Sequence, residues 1–417
     1  MSTTTSITRP DFASPAFRAN PWPFYAQLRH QAPAHKLTLG DGKPAWLIVR
    51  YPDVASALKD PRLSKNPFTT LTPEERKQKL PWIPGFLQPL ANTMLDRDGP
   101  DHTRLRGLAH QAFTPKRIEE LRVRIESLCD DLLARAKARG EMDLLADFAM
   151  PVPVFVIAEI LGIPEEDRLR FRRWTERMVT VAGLSDMFLA MPAMWAFLRY
   201  VRKLVERRRH ELGDDLISAL IRAEENGDRL SEDELLSMVF LLLVAGHETT
   251  VNLISTGMLA LLDQPEAWDR LRSEPALVPS AVEELLRFTS VVDFGTERYT
   301  TSDVDAGGLV IPRGERVLTM LGSANHDEAV FADPEALRLD REPNRHVTFG
   351  GGAHYCLGAP LARMEAQIAF RALIREAPVL HLAVPREAVR FRKSMALRCL
   401  QALPVLVPNA KPARRAA

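Results

Sequence analysis

From about residue 100 to 290 the apolar positions recur at helical spacing. Between Pro115 and Gly140, Ile118, Leu121, Ile125, Leu128, Leu132 and Leu133 fall on one face and charges on the other, which predicts an amphipathic helix. Val152 to Leu161 is nearly all apolar and stops at Gly162 and Pro164. Met187 to Glu211 predicts another helix, closing on Arg207, Arg208 and Arg209, a run that reads as a solvated face. The longest pattern runs from Ser231 to Asp263. Ser231 and Glu234 have the spacing of a capping box, and Pro265 marks the end. At a rise of about 1.5 Å per residue this helix is about 50 Å long. Its segments MVFLLLVAG and VNLISTGMLALL are apolar on nearly all sides, so it is expected to be buried.

Strand-like alternation is shorter and sits towards the ends of the chain. Ala45 to Tyr51 is one such segment, Leu309 to Met320 reads as strand, turn at Pro312–Gly314, strand, and Leu380 to Val407 alternates in the same way. Asn66 to Asn92 differs. Pro67, Pro73, Pro81, Pro84 and Pro89 forbid a long helix, while Trp82, Ile83, Phe86 and Leu87 are large and apolar. A long irregular loop of that kind is more often functional than a linker. The chain's 417 residues exceed the usual domain of about 50–250 residues. With no repeat and no low-complexity linker, the expectation is nevertheless one large, mainly α domain with minor β, spanning 1–417. Residues 1–19 are expected to form a flexible arm and 408–417 a flexible tail.

Composition narrows the function. A hydrophobic share of 46% argues against disorder. Lys+Arg number 55 against 54 Asp+Glu, so no strong field exists to hold nucleic acid or an anionic membrane. Cys129, Cys356 and Cys399 are too few for a disulfide framework and point to a reducing compartment. No signal peptide is readable, and the apolar run Met238 to Gly246 is far shorter than the roughly 20 residues that span a bilayer. A soluble cytoplasmic protein is expected.

Two segments carry chemistry. Gly246-His247-Glu248-Thr249-Thr250 places a carboxylate and hydroxyls within an apolar helix, where burial is costly unless they are used or paired. Thr249 could bond back to the Ala245 carbonyl. Read functionally, Glu248 and Thr249 are an acid–alcohol pair suited to proton delivery. A zinc-protease reading fails, because position 251 is valine. The second segment is Phe349-Gly350-Gly351-Gly352-Ala353-His354-Tyr355-Cys356-Leu357-Gly358. Its glycines permit positive φ and close approach. A helix is expected to begin at Cys356, whose thiolate the N-terminal amides would stabilise. Cys129 and Cys399 offer no zinc-ligand spacing. A Cys–His nucleophile has no adjacent carboxylate to orient it.

These motifs resemble those of the haem-thiolate monooxygenases, the cytochrome P450 family, in its soluble bacterial branch. Phe349, Gly352, His354, Cys356 and Gly358 match the haem-ligand loop. Ala245 to Thr250 match the oxygen-activating helix, Glu284-Leu285-Leu286-Arg287 the Glu-x-x-Arg motif, and His102-Thr103-Arg104-Leu105-Arg106 the helix that meets the haem propionates. The likeness runs from about Asn20 to Val407. It implies that haem b is bound, with Cys356 the iron ligand, Phe349 shielding the sulfur and amides near Leu357 and Gly358 bonding to it. It further implies that His102, Arg106, Arg298 and His354 hold the propionates, that Ala245 and Gly246 lie against the haem, and that Glu248 and Thr249 deliver protons. Glu284, Arg287 and Arg341 would form a structural network; Glu283 is an alternative partner by spacing, and the family register selects Glu284. Two departures lie in a packing region: Asn325-His326-Asp327 stands where relatives read Asn-Arg-Asp, and Leu337-Arg338 where they often carry Phe-Asp.

By the same resemblance, a mainly apolar small molecule is oxidised with O2. Trp82, Ile83, Phe86, Leu87, Leu242, Val291, Val292, Phe294 and Met395 are candidate pocket residues. Ser394 shares the turn of Met395, and Met187, Leu189 and Met191, between two helices, suggest a mobile lid. The chain shows no flavin or iron–sulfur signature, so electrons are expected from a separate ferredoxin and its NAD(P)H-dependent reductase. Arg104, Lys116, Arg345 and Arg363 would steer that partner. No nucleic-acid partner and no membrane insertion are expected, and the protein is expected to be a monomer. A peroxide-driven oxygenase, a non-catalytic haem protein and a haem-free cysteine hydrolase are the rival readings.

Overall fold

The computed structural model describes residues 10–68, 85–90, 93–110, 113–179, 184–225 and 230–408. Helices dominate it, and one of them organises the rest. The central helix, Glu232–Leu262, starts at the expected capping box. Ser231 Oγ accepts from the Glu234 amide at 3.1 Å, and the Ser231 amide donates to Glu234 Oε2 at 2.9 Å. Helices Pro151–Ile160, Val278–Thr289 and Ala359–Glu376 pack on it, as does the short helix Gly85–Leu90. By length and composition alone this helix could cross a membrane, yet 61% of its most apolar window is buried within the molecule.

The amphipathic segment forms the helix Pro115–Arg139. Thr114 caps its start, and Gly140, at φ +77°, takes the left-handed C-cap that a side chain would resist. Its apolar face lies on Ala359–Glu376. The segment expected from Met187 instead begins at Leu184 and runs to His210. Met187, Leu189 and Met191 therefore lie inside one helix and not between two. Leu189 is 77% exposed.

The sheets are small. The largest has the order Ala34–Thr38, Pro44–Ile48, Arg316–Thr319, Arg298–Thr300, Leu63–Ser64. Trp46 to Ile48 run parallel to Val317 to Thr319, and Arg298 pairs with Val317. Leu309 to Met320 is not a hairpin. Its first half, Leu309–Ile311, pairs with Val304–Ala306, while Arg316–Thr319 joins the larger sheet. Local alternation reveals strands but not partners, because pairing depends on distant segments.

The expected N-terminal arm is corrected in its second half. Residues 15–19 form a helix capped by Ser14, with Phe12 and Arg18 buried. Phe17 and Trp22 each pack edge-to-face on Tyr25 and hold it down. Residues 1–9 and the tail from 409 lie outside the described residues.

The buried Glu–Arg–Arg network is assembled as the family register implied. Arg287 Nε and Nη2 donate to the two Glu284 oxygens, each at 2.8 Å, and Arg341 Nε donates to both at 3.0 Å. Glu283 is instead taken by Arg363, at 2.7 and 2.9 Å, and by His346 at 3.1 Å. The departures fit this packing. His326 stacks on Trp22 with centroids 3.7 Å apart, Asn325 bridges Ser290, Thr348 and the Val347 amide, and the Arg338 amide donates to Glu284 at 3.0 Å.

Candidate functional site

The cysteine loop is shaped by two glycines. Gly350 and Gly352 have φ of +70° and +65°, and a Cβ on Gly352 would sit 2.7 Å from the Leu58 carbonyl. The turn brings the Cys356 amide back to the Phe349 carbonyl at 2.9 Å. Cys356 does not start the following helix. That helix is Ala359–Glu376, capped at Gly358, three residues further on, with Pro360 setting its first turn. Amides still reach the sulfur. Recess of the side chain pushes the Cys356 thiol pKa up, while the Gly358 and Ala359 amides and the charges of Arg106 and Arg363 pull it back. The residue is open to solvent, whereas Cys129 and Cys399 are buried and their thiols are pushed to about 12 and about 11. Arg363 lies over the Phe349 ring at 4.5 Å, so Phe349 forms part of the loop's packing.

Beside the loop is a cluster of buried nitrogens. His102 and His354 lie against each other, their rings tilted by 38° with centroids 4.1 Å apart. Burial lowers both their pKa values, His354 to about 3, with His102, Lys65 and Arg298 adding repulsion. Burial thus favours the neutral form of both rings. His102 Nε2, His354 Nδ1 and Arg298 Nε have no hydrogen-bond partner although they are buried. Asp98 and Lys65 belong to this cluster and had no readable signal in the sequence. Asp98 accepts from the Lys65 and Asn66 amides at 2.6 and 3.3 Å and faces His354 Nε2 at 3.7 Å. Arg106 Nη2 donates to the Tyr355 carbonyl at 2.6 Å, tying the propionate-helix candidate to the cysteine loop.

On the central helix, Ala245 and Gly246 are exposed, and the polar insert follows them. Thr249 Oγ1 donates to the Ala245 carbonyl at 3.0 Å, the back-bond anticipated from the sequence. Burial raises the Glu248 pKa, opposed by Arg392, whose Nη2 lies 3.0 Å from Glu248 Oε1. Arg392 is 144 residues away, and no local pattern announces it.

Glu365 was missed, although a carboxylate among Met364, Ala366 and Ile368 is itself a warning. It is buried, its Oε2 has no partner, and its pKa is raised to about 8 by burial, which its bond with Thr250 only partly offsets. Folding therefore takes up a proton here. That stability is complete below the unfolded pKa of about 4.3 and declines as pH rises towards 8. Glu365→Gln should raise the melting temperature at pH 8 and much less at pH 5. Equal melting curves for the two proteins at pH 8 would refute this.

The pocket candidates divide. Trp82 and Ile83 lie outside the described residues, as does the side chain of Phe86. Leu87 packs on the main core, and Leu242 and Val291 are core residues at 8% and 3% exposure. Phe294 packs with Phe12, Tyr25 and Leu47 in a separate aromatic core, to which the N-terminal segment contributes. Val292 and Met395 are half-buried, and Leu397, which pairs with Val292, was not anticipated. In the steering patch, Arg104 and Arg363 are paired with Glu234 and Glu283, and exposed Lys116 lies 3.9 Å from Glu120, while Arg345 is exposed as well.

Residues 43–381 match the family profile described as Cytochrome P450. The chain belongs to the cytochrome P450 family. It is 47% identical over 382 residues to Cytochrome P450 107B1 of Saccharopolyspora erythraea, covering 91% of this chain and 93% of that one. To the polyketide biosynthesis cytochrome P450 PksS of Bacillus subtilis it is 44% identical over 392 residues, covering 93% and 96%. The solved structure of PksS superposes with a TM-score of 0.87 at 42% identity, covering 96% of this chain and all 100% of that one. Myxobacterial CYP267B1, solved with myristic acid, gives 0.87 at 43% identity, covering 96% and 99%.

This P450 is thus a monooxygenase whose cofactor is haem held through a cysteine thiolate. The residues present fit that group. Haem carries two carboxylates, and buried nitrogens without partners are what such an anion requires. The exposed Ala245–Gly246 stretch leaves one helix face free of bulk, and an accessible cysteine lies on the loop beside the cation cluster.

Proposed function

We propose that Cys356 supplies the thiolate, that Arg298, His354, His102 and Arg106 take the haem propionates, and that Glu248 and Thr249 manage protons during oxidation of a mainly apolar small molecule. One observation carries the assignment. His102 Nε2, His354 Nδ1 and Arg298 Nε are buried without partners within the cluster that adjoins the Cys356 loop. Bound there, haem supplies activation of O2 and insertion of one oxygen atom into substrate. The protein's own part is to hold, shield and protonate. Phe349 and Arg363 cover the loop. Thr249 carries a hydroxyl on the helix face, tethered by its bond to Ala245, and Glu248, kept above the usual carboxylate pKa by burial, is a proton source that Arg392 restrains.

A mainly apolar substrate is supported by the partly buried Val292, Leu397 and Met395 and by what relatives are named for. Those names include a vitamin D(3) 25-hydroxylase and a mycinamicin IV hydroxylase/epoxidase. Electrons would come from a separate ferredoxin and reductase in the cytoplasm, with exposed Lys116 and Arg345 on the docking face. The test is spectroscopic. The reduced, carbon-monoxide-bound protein should show the red-shifted Soret band of thiolate ligation, and a spin-shift screen of lipids, terpenes and macrolides should find ligands. An unshifted Soret band would overturn the assignment.

The acid–alcohol pair makes a separate prediction. Thr249→Ala should keep the haem spectrum while diverting reducing equivalents to peroxide, read as product formed per cofactor consumed. Unchanged coupling would remove Thr249 from proton delivery.

A further inference from the structure

Two candidate walls of the substrate pocket, residues 291–294 and the turn 394–397, are far apart in sequence, and one side chain joins them. Arg18, on helix Pro15–Ala19, is fully buried. Its Nε donates to the Ser394 carbonyl at 2.7 Å, its Nη2 to the Met395 carbonyl, and its Nη1 pairs with the Asp293 carboxylate. Tyr25 donates its hydroxyl to that same carboxylate. Gly322 makes room for it, since a Cβ there would collide with Asp293 Oδ1. From below, Arg398 donates to the Arg18 carbonyl at 3.0 Å and to the Thr289 carbonyl at 2.5 Å. Backbone bonds complete the frame: Ser394 to Ala13 at 3.2 Å, Asp293 to Ala396 at 3.0 Å and Arg398 to Val291 at 2.9 Å.

The geometry is specific to a guanidinium. Its planar fork supplies three donors to two carbonyls and a carboxylate at once, which an ammonium cannot span. Stability alone does not explain such a pair, because apolar replacements of buried ion pairs are often as stable. We propose that Arg18 is a positioning residue that sets substrate specificity: by clamping the 394–397 turn to Asp293 it fixes the separation of the two pocket walls. This rests on the pocket reading above, and the test separates the two.

The test uses the haem-loaded protein, imidazole as a small probe and 4-phenylimidazole as a large one, both titrated by their Soret shifts. Hydrogen exchange of residues 391–400 is followed in parallel. Arg18→Lys keeps a positive charge on Asp293 but loses the carbonyl bonds. It should retain the thiolate spectrum, exchange faster in that segment, and change the ratio of the two affinities by about tenfold, the scale of two lost hydrogen bonds. The double variant Arg18→Met with Asp293→Leu removes both charges of the pair together and should change the ratio likewise; it decides the matter if Arg18→Lys does not load haem. An unchanged ratio with unchanged exchange overturns the proposal. Leu397→Phe should weaken 4-phenylimidazole and spare imidazole. If it alters neither affinity, the pocket reading itself fails; if it alters the large probe while the Arg18 variants do not, only the role of Arg18 fails.

Discussion

Cys356→Ser is expected to abolish the red-shifted Soret band of the reduced, carbon-monoxide-bound protein and to reduce monooxygenation to background. The loop is built around a sulfur. Gly350 and Gly352 hold positive φ, the Cys356 amide bonds to Phe349, and the Gly358 and Ala359 amides point at Sγ. Those amides, with Arg106 and Arg363, oppose the partial desolvation of the recessed sulfur that raises the thiol pKa. A serine hydroxyl in the same place ionises far less readily and is a harder, poorer donor to iron. Electron donation from a thiolate favours O–O cleavage, so its loss removes the chemistry and not merely some affinity. Haem content should fall less than activity, because His102, Arg298 and His354 still present nitrogens to the propionates. Cys399→Ala is the control: its sulfur is buried in the C-terminal region, and the spectrum should survive. A shifted Soret band in Cys356→Ser would disprove the ligand assignment.

What could be read from the sequence was local. The central helix follows from one cap, one apolar run and one proline, all within a single segment, and it ends within a residue of where they place it. The glycines of the cysteine loop were legible because positive φ selects glycine. The start of the next helix was misjudged by three residues, since Cys356 itself gives no capping signal and Pro360 does. Everything that depends on distant partners stayed hidden. Glu248 meets Arg392 across 144 residues, and Arg18 meets Ser394 across 376. Neither Arg392 nor Arg18 differs in its local pattern from a solvated arginine. The neighbours of Phe294 were hidden in the same way: only the fold reveals that Phe12 packs against it from the N-terminal segment.

Glu284→Ala is expected to cost about 3–5 kcal/mol of stability, the scale for breaking a buried ion pair from one side. Glu284 and Arg287 are completely buried, and Arg341 is nearly so. Removing the carboxylate strands two guanidinium groups that cannot lose their protons. Their remaining bonds go to carbonyls of Asn325, Pro334, Ala336, Ala332 and Asp333, which are neutral and cannot balance two charges. These carbonyls belong to the segment leading to the cysteine loop, and Asn325 also holds the Val347 amide at 2.9 Å, two residues before Phe349. Loss of the network should therefore reach the haem site, and the thiolate spectrum should disappear at lower denaturant than in the parent protein. Glu283→Ala provides the contrast. The side chain of its partner His346 is buried, but Arg363 and Glu283 keep 30% and 28% of their side-chain surface, so the Arg363–Glu283 pair is partly open to solvent. A screened pair of that kind contributes about 1 kcal/mol or less. Equal denaturant midpoints for the two variants would mean that the Glu284 charge is not what holds the core beneath the loop.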